Sequence, residues 1–144
     1  MRLPLMVFVL GYAGLIPFLI GPAWLTLSPQ TAPPSLDHLW LLYAGLIAAF
    51  MSGTFWGMAL LVAEGPNGKI GMAMSGVLML LAWGALALSF RHALFALAGV
   101  FLLQVVAEIW RERVIDPLSG YFTLRVTLTL GVLATIAWRV MLGV

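Results

Sequence analysis

Apolar residues run along this chain in five long blocks, and polar or turn-forming residues are confined to the short stretches between them. The blocks cover approximately residues 3–27, 39–62, 70–88, 93–110 and 121–142. At 1.5 Å of rise per residue, each is long enough as a helix to span roughly 30 Å of hydrocarbon. The pattern predicts an all-α, polytopic membrane protein, a bundle of five transmembrane helices forming a single domain over residues 1–144. The breaks have turn chemistry. Ser28 to Asp37 contains Pro29, Pro33 and Pro34, with Ser35 placed as an N-cap. Glu64 to Lys69 is a tight polar turn carrying Gly65, Pro66 and Gly68. Ser89 to His92 is a short connection, and the segment from Arg111 to Gly120 holds charges and Pro117. Short connections favour antiparallel neighbours. Near the N-terminus the apolar run continues past Trp24, beyond the short hydrophobic region of a signal peptide, so it reads as a retained first helix.

Composition sharpens this picture. Of 144 residues, 63% are hydrophobic and 8% charged, against about half and a quarter in an average soluble domain. A water-soluble fold of this size could not hide so much apolar surface in one core, and the mean hydropathy of +1.10 agrees. Seven Lys and Arg against five Asp and Glu give a formal charge of +2, and no basic run describes a nucleic-acid surface. The absence of cysteine excludes disulfides, thiolate metal sites, covalent haem attachment and cysteine nucleophiles. No Gly-rich phosphate loop, HExxH, GxSxG or paired acidic motif is present. The expectation is a non-enzymatic protein that needs no cofactor.

Charge also orients the bundle. With five spans, Arg2, Lys69, Arg111, Arg113 and Arg125 lie on one side, and Arg91 and Arg139 on the other. The positive-inside rule then places the N-terminus in the cytoplasm and the C-terminus outside. Trp24, Trp40, Trp83, Trp110 and Trp138 fall near the ends of spans, where amphipathic rings anchor to headgroups; Trp56 lies well inside the second span and reads as a packing or site residue.

Within the second span Gly45, Ala49, Gly53 and Gly57 recur every fourth residue, flanked by Ala48 and Ser52. Such a track lets two backbones approach and predicts a helix-packing seam. Alternatively it borders a groove, lined by Ser52 and Trp56, that admits a ligand or a partner helix. In the first span Pro17 follows Gly11-Tyr12-Ala13-Gly14 and should kink the helix, which can open a pocket where Tyr12 and freed carbonyls face inward. Two ionisable residues lie inside spans: Glu108 near the end of the fourth and Arg125 near the start of the fifth, at similar depth on consecutive antiparallel helices. They could pair, which lowers the cost of holding either charge in low dielectric. Gln104, at mid-depth in the fourth span, should bond across a helix seam. His38 and His92 fall at the outer face and are expected to be solvated rather than metal-bound.

Several of these stretches resemble one family. Gly11–Phe18 (GYAGLIPF), Tyr43–Gly57 (YAGLIAAFMSGTFWG), Ala82-Trp83, Leu102–Glu108 (LLQVVAE) and Tyr121–Thr129 (YFTLRVTLT) are similar in order and spacing to the domain-of-unknown-function 3429 family of small polytopic inner-membrane proteins. Arg125 stands where that family has its arginine. Phe55 replaces a histidine that members often carry before the Trp-Gly of the second helix, and Glu108 replaces an aspartate. The resemblance implies a bacterial inner-membrane location and brings no activity. In length, helix number and tryptophan content the chain is also similar to the tryptophan-rich sensory proteins of the translocator family, but their second-helix and Asn-Trp motifs are missing.

Two functional expectations follow. The leading one is an accessory or scaffold subunit that associates with other membrane proteins or a second copy, suggested by the lack of soluble mass and by the small-residue track. The other is a binder or carrier of a hydrophobic small molecule, a quinone, lipid or tetrapyrrole, with Tyr12, Pro17, Ser52, Trp56, Glu108 and Arg125 as the candidate ligand- or partner-binding residues.

Overall fold

A computed structural model describes residues 5–60, 64–114 and 121–142. These form six helices: α1 (Leu5–Ala13), α2 (Ile16–Leu27), α3 (Leu36–Ala59), α4 (Pro66–Ala85), α5 (Phe90–Val114) and α6 (Tyr121–Met141), with one 3-10 turn at Pro29–Thr31. There is no strand among the described residues. Five segments are long and apolar enough to cross a membrane, the first of them made from α1 and α2 together. The predicted first residue of the first span, the end of the second at Val62, and the turn with Pro117 and Gly120 lie outside the described residues.

Pro17 explains the break in the first span. A proline within a helix has no N–H to give and its ring collides with the carbonyl four residues back, here that of Ala13. Helix α1 ends at that residue. Pro17 then falls in the first turn of α2, where a missing N–H costs nothing. Between them the chain tightens, with the Leu15 amide donating to the Tyr12 carbonyl at 3.0 Å. The Gly14 carbonyl accepts from the Tyr43 hydroxyl of α3 at 2.8 Å.

Three expected boundaries shift. Ser35 does precede α3, but its side chain makes no cap: its backbone is already helical (φ −86°, ψ 0°), whereas a capping residue is usually extended. Helix α5 starts at Phe90 and runs to Val114, so the predicted connection at Ser89–His92 is mostly helix, and Arg111 belongs to the helix rather than to the following loop. The basic residues Arg111 and Arg113 in its last turn suit the negative end of the helix dipole.

Helix α3 pairs most extensively with α4 and also packs on α5 and α2; α5 lies against α4 and α6, and α6 closes on α2 and α1. The core centres on Phe18, whose ring meets Trp40, Tyr43 and Phe101 edge-on at centroid distances of 6.1, 5.2 and 6.4 Å. Outside, large apolar side chains stand exposed on every long helix: Phe50 on α3 (67%), Trp83 on α4 (71%), Val106 on α5 (63%) and Leu130 on α6 (62%). Water would penalise each of them, and lipid does not.

The small-residue track on α3 forms a seam only in part. A Cβ on Gly45 would lie 2.7 Å from Leu86, so the backbone is closely approached there, but at Gly53 and Gly57 it would meet nothing within 4 Å. The buried residues of α3 are Leu41, Ala44, Ala48, Ser52, Phe55 and Ala59, with Trp40 and Gly45 at the start. Their mean spacing follows the helical repeat, while a strict every-fourth track turns by about 40° at each step and leaves the interface. The same geometry places Trp56 outside, half exposed, next to a buried Phe55. Trp40, expected at the membrane surface, is instead buried and donates its indole N–H to the Phe18 carbonyl at 2.9 Å.

Candidate ligand cleft

Helices α3 and α6 stand apart, and the space between them is a cleft of about 380 Å³. Its wall on one side is the broken first span, through Gly11, Gly14 and Leu15. Phe101 of α5 and Phe18 of α2 close its inner end. The break at Gly14 is what shapes this wall, because two glycines one turn apart withdraw side chains from it. Leu10 and Phe50 sit at the rim, and both are strongly exposed to the surroundings of the bundle.

The cleft is apolar except at one end, where Thr54, Arg125 and Thr129 line it. Arg125 and Thr129 lie one turn apart on α6 and so share a face. The Thr129 hydroxyl donates to the Arg125 carbonyl at 2.9 Å, and the Thr54 hydroxyl donates to the Met51 carbonyl at 2.6 Å. Arg125 Nη1 donates to Thr54 Oγ1 at 2.6 Å, and its guanidinium carbon lies 5.2 Å from the centre of the Phe55 ring. Both hydroxyl protons are therefore committed to backbone carbonyls, and the polar hydrogens at this end of the cleft belong to Arg125.

Behind Arg125 lies a buried charge cluster. Glu108 and Arg111 are each 1% exposed and Arg125 5%. Arg111 sits three residues beyond Glu108 on α5 and grips its Oε1 with Nε at 2.6 Å and with Nη2. Glu108 Oε2 stands 3.6 Å from Arg125 Nη1, close enough for ion pairing but not for a hydrogen bond, and it has no hydrogen-bond partner among the described residues. Glu108 and Arg125 are thus brought together, as their matched depth predicts, with Arg111 as Glu108's closer partner. The sequence pattern assigns Arg111 to the following loop; the signal that identifies it as a member of the cluster is its i,i+3 spacing from Glu108 once the helix is carried past Trp110.

Above the cluster, Gln104 crosses from α5 to α3, where its Nε2 donates to the Ala48 carbonyl at 2.7 Å and to Ser52 Oγ at 3.0 Å. Ser75 of α4 donates to the Ser52 carbonyl at 2.7 Å. Ser52 is therefore a buried junction of three helices and does not line the cleft.

The remaining candidates fall elsewhere. Tyr12 is 45% exposed and outside the cleft; the tyrosine that reaches the break is Tyr43. Trp56 points away from it, for the rotational reason given above. Pro17 acts by placing the break. His38 and His92 are exposed, with His92 Nδ1 2.7 Å from Ser89 Oγ, and among the described residues no three His, Cys, Asp or Glu side chains gather.

A helical bundle with five apolar spans, an outward belt of large hydrophobic side chains and its charges paired inside or set at the ends is an integral, multi-pass membrane protein. A family model described as a protein of unknown function (DUF3429) matches residues 3–141, and the chain belongs to that family. No curated protein and no solved structure matches it.

Proposed function

We propose that this protein binds a hydrophobic small molecule within the bundle, in the cleft between α3 and α6. The observation that carries this reading is the cleft itself: about 380 Å³, apolar along its length, with a buried arginine at one end. That volume lies at the low end of the range for small-molecule pockets, and a few convergent polar groups in an apolar site are what such pockets show. Broken membrane helices recur beside binding sites for the same reason as here, since the break opens space that an unbroken helix would fill. The role assigned to the cleft is binding or carriage. Native mass spectrometry of the protein in mild detergent should find one apolar molecule per chain. Leu10→Trp, which fills the mouth from the rim, should remove it. A wild-type protein that carries nothing, and exchanges nothing when offered lipid extract, would overturn the proposal.

Association with other membrane proteins remains a second reading, favoured by the open backbone of α3 at Gly53 and Gly57, where no side chain covers the helix. Cross-linking in native membranes from a photoreactive residue at position 57 tests it. We also infer an inner-membrane location with the N-terminus cytoplasmic, supported by the five-to-two distribution of basic residues between the two faces. Because the chain has no cysteine, single substitutions are clean probes. Asn67→Cys should resist a membrane-impermeant thiol reagent in whole cells, and Ser35→Cys should react.

A further inference from the structure

We propose that α1 is a lateral gate of the cleft, swinging about the Gly14 break to admit a membrane-dissolved ligand sideways from the bilayer; this rests on the cleft being a ligand site. The two halves of the first span are held very differently. Helix α2 is fixed. Its Phe18 is buried in the core, the Phe18 carbonyl accepts the Trp40 indole N–H at 2.9 Å, and a Cβ on Gly21 would lie 2.5 Å from the Trp40 ring. Farther along, the Thr26 hydroxyl accepts from the Trp138 indole of α6 at 3.1 Å. Helix α1 packs mainly on α6, through Gly11, where a Cβ would meet Leu128 at 3.3 Å and Leu124 at 3.5 Å. None of its described side chains is buried: Leu5, Met6, Val9, Leu10 and Tyr12 are all exposed.

Between the halves the backbone is built to turn. Its hydrogen bonds run from Gly14 back to Leu10 and from Leu15 back to Tyr12, then resume with Leu19 to Leu15. Pro17 has no N–H with which to bridge the gap, and Gly14, without a Cβ, takes up changes in φ and ψ at small cost. One latch crosses the joint. The Gly14 carbonyl, which must tilt if α1 swings, accepts the Tyr43 hydroxyl of α3 at 2.8 Å. Helix α1 also carries wall of the cleft, with Leu10 at the rim and Gly11 beside it, whereas the inner end belongs to Phe18 and Phe101 on fixed helices. A lever of nine residues is about 13 Å long. A swing of about 20°, the size of an ordinary helix kink, carries its far end about 4–5 Å and draws Leu10 out of the rim. An apolar molecule then passes between bilayer and cleft without crossing water, and the Tyr43 bond closes the joint behind it.

The test uses the full chain in phosphatidylcholine vesicles, with nitroxide labels on pairs of introduced cysteines and distances read by double electron–electron resonance. Met6→Cys and Val9→Cys report on α1 and Ile20→Cys on α2, each paired with Lys69→Cys on α4. The α1 pairs should show two distance populations, closed and open, and the α2 pair one. For a rigid lever the separation of the populations grows with distance from Gly14. Met6, eight residues away, should therefore show about one and a half times the separation at Val9, five residues away. Tyr43→Phe should raise the open population about three-fold, the effect of one interhelical hydrogen bond of average strength. Pro17→Ala, which restores an N–H opposite the Ala13 carbonyl, should shrink it. The distances in the otherwise unchanged chain decide the matter even if either variant fails to fold. A single narrow distance for both α1 pairs would overturn the gate and leave the ligand cleft intact. Broadening at Met6 without Val9 would mean a fraying helix end and would overturn it equally, as would populations that Tyr43→Phe leaves unmoved. The ligand site is read separately, with an apolar aryl diazirine dissolved in the same vesicles and its adducts mapped by peptide mass spectrometry. It should label Phe101 and Val132 inside the cleft; labelling confined to belt residues such as Leu130 would remove the cleft as a ligand site and the gate with it.

Discussion

At one end of the bundle Arg139 meets Asp37 fork to fork, Nε to Oδ1 at 3.0 Å and Nη2 to Oδ2 at 2.8 Å, with its guanidinium carbon 4.8 Å from the centre of the Phe90 ring. At the other end Glu108 lies between Arg111 and Arg125, one oxygen gripped and the other ion-paired at 3.6 Å without a hydrogen bond among the described residues. The first site joins helices distant in sequence and the second joins consecutive helices, and they differ in exposure and in geometry. The Asp37 side chain is 39% exposed and its geometry uses both oxygens, so the pair acts as a tie between the start of α3 and the end of α6. The Glu108 cluster is almost wholly buried, its geometry is uneven, and it backs onto a cleft. A bidentate pair at the rim is explained by fold stability alone. A buried, unevenly satisfied one beside a cavity is where binding is the better explanation.

The largest expected effect tests the buried end. Arg111→Met leaves the Glu108 carboxylate buried with, among the described residues, only the 3.6 Å contact to Arg125, and breaking a buried pair in this way typically costs about 3–5 kcal/mol. A lowered thermal midpoint in detergent measures it. Pairing the change with Glu108→Gln should recover much of the loss, since no uncompensated carboxylate then remains. A cost below about 1 kcal/mol for Arg111→Met, in the range of an exposed pair, would mean that water reaches Glu108 and that the two ends do not differ in kind.

The rim should respond less and should respond to salt. Arg139→Met removes two charge-assisted hydrogen bonds and a ring contact, for about 1–2 kcal/mol; Asp37→Asn, at a partly exposed position, should cost about 1 kcal/mol. At about 1 M salt the Debye length falls to about 3 Å, so the penalty for Asp37→Asn should shrink while that for Arg111→Met stays. Equal salt sensitivity at the two sites would collapse the distinction between them.

How much of this could be read beforehand differs between the two ends and the middle. The five spans were legible because block length against hydrocarbon thickness needs no knowledge of packing. The break at Gly14 was legible in Pro17, and the Glu108–Arg125 approach in their equal depth. The rotation of α3 was not. That helix is apolar around its whole circumference, so hydrophobicity does not mark its inner face. The every-fourth track of small residues pointed to Trp56 where the three-and-four spacing of the buried set selects Phe55. Tyr12 and Tyr43 posed the same difficulty: which of them reaches the freed Gly14 carbonyl depends on how α3 leans on the first span. Arg139 as the partner of Asp37 joins residues 102 apart in sequence, and no local pattern announces it.

Gln104 lies between the two ends and gives the smallest and most discriminating prediction. It is one turn before Glu108 on the same face of α5, so it could be part of the charge cluster or an independent stitch between α5 and α3. Its two acceptors are also bonded to each other: the Ser52 hydroxyl donates to the Ala48 carbonyl at 2.9 Å, a bond that does not involve Gln104. Gln104→Leu keeps a side chain of similar size, leaves no buried acceptor orphaned, and removes two interhelical hydrogen bonds. Such bonds in membrane bundles contribute about 0.6 kcal/mol on average and at most about 1.7. The thermal midpoint should therefore drop slightly, and the cost should add to that of Arg111→Met in the double variant. A coupling above about 0.5 kcal/mol would tie Gln104, Ser52 and Glu108 into one network. The buried end would then extend to mid-membrane, and the contrast with the Asp37–Arg139 tie would be one of size as well as exposure.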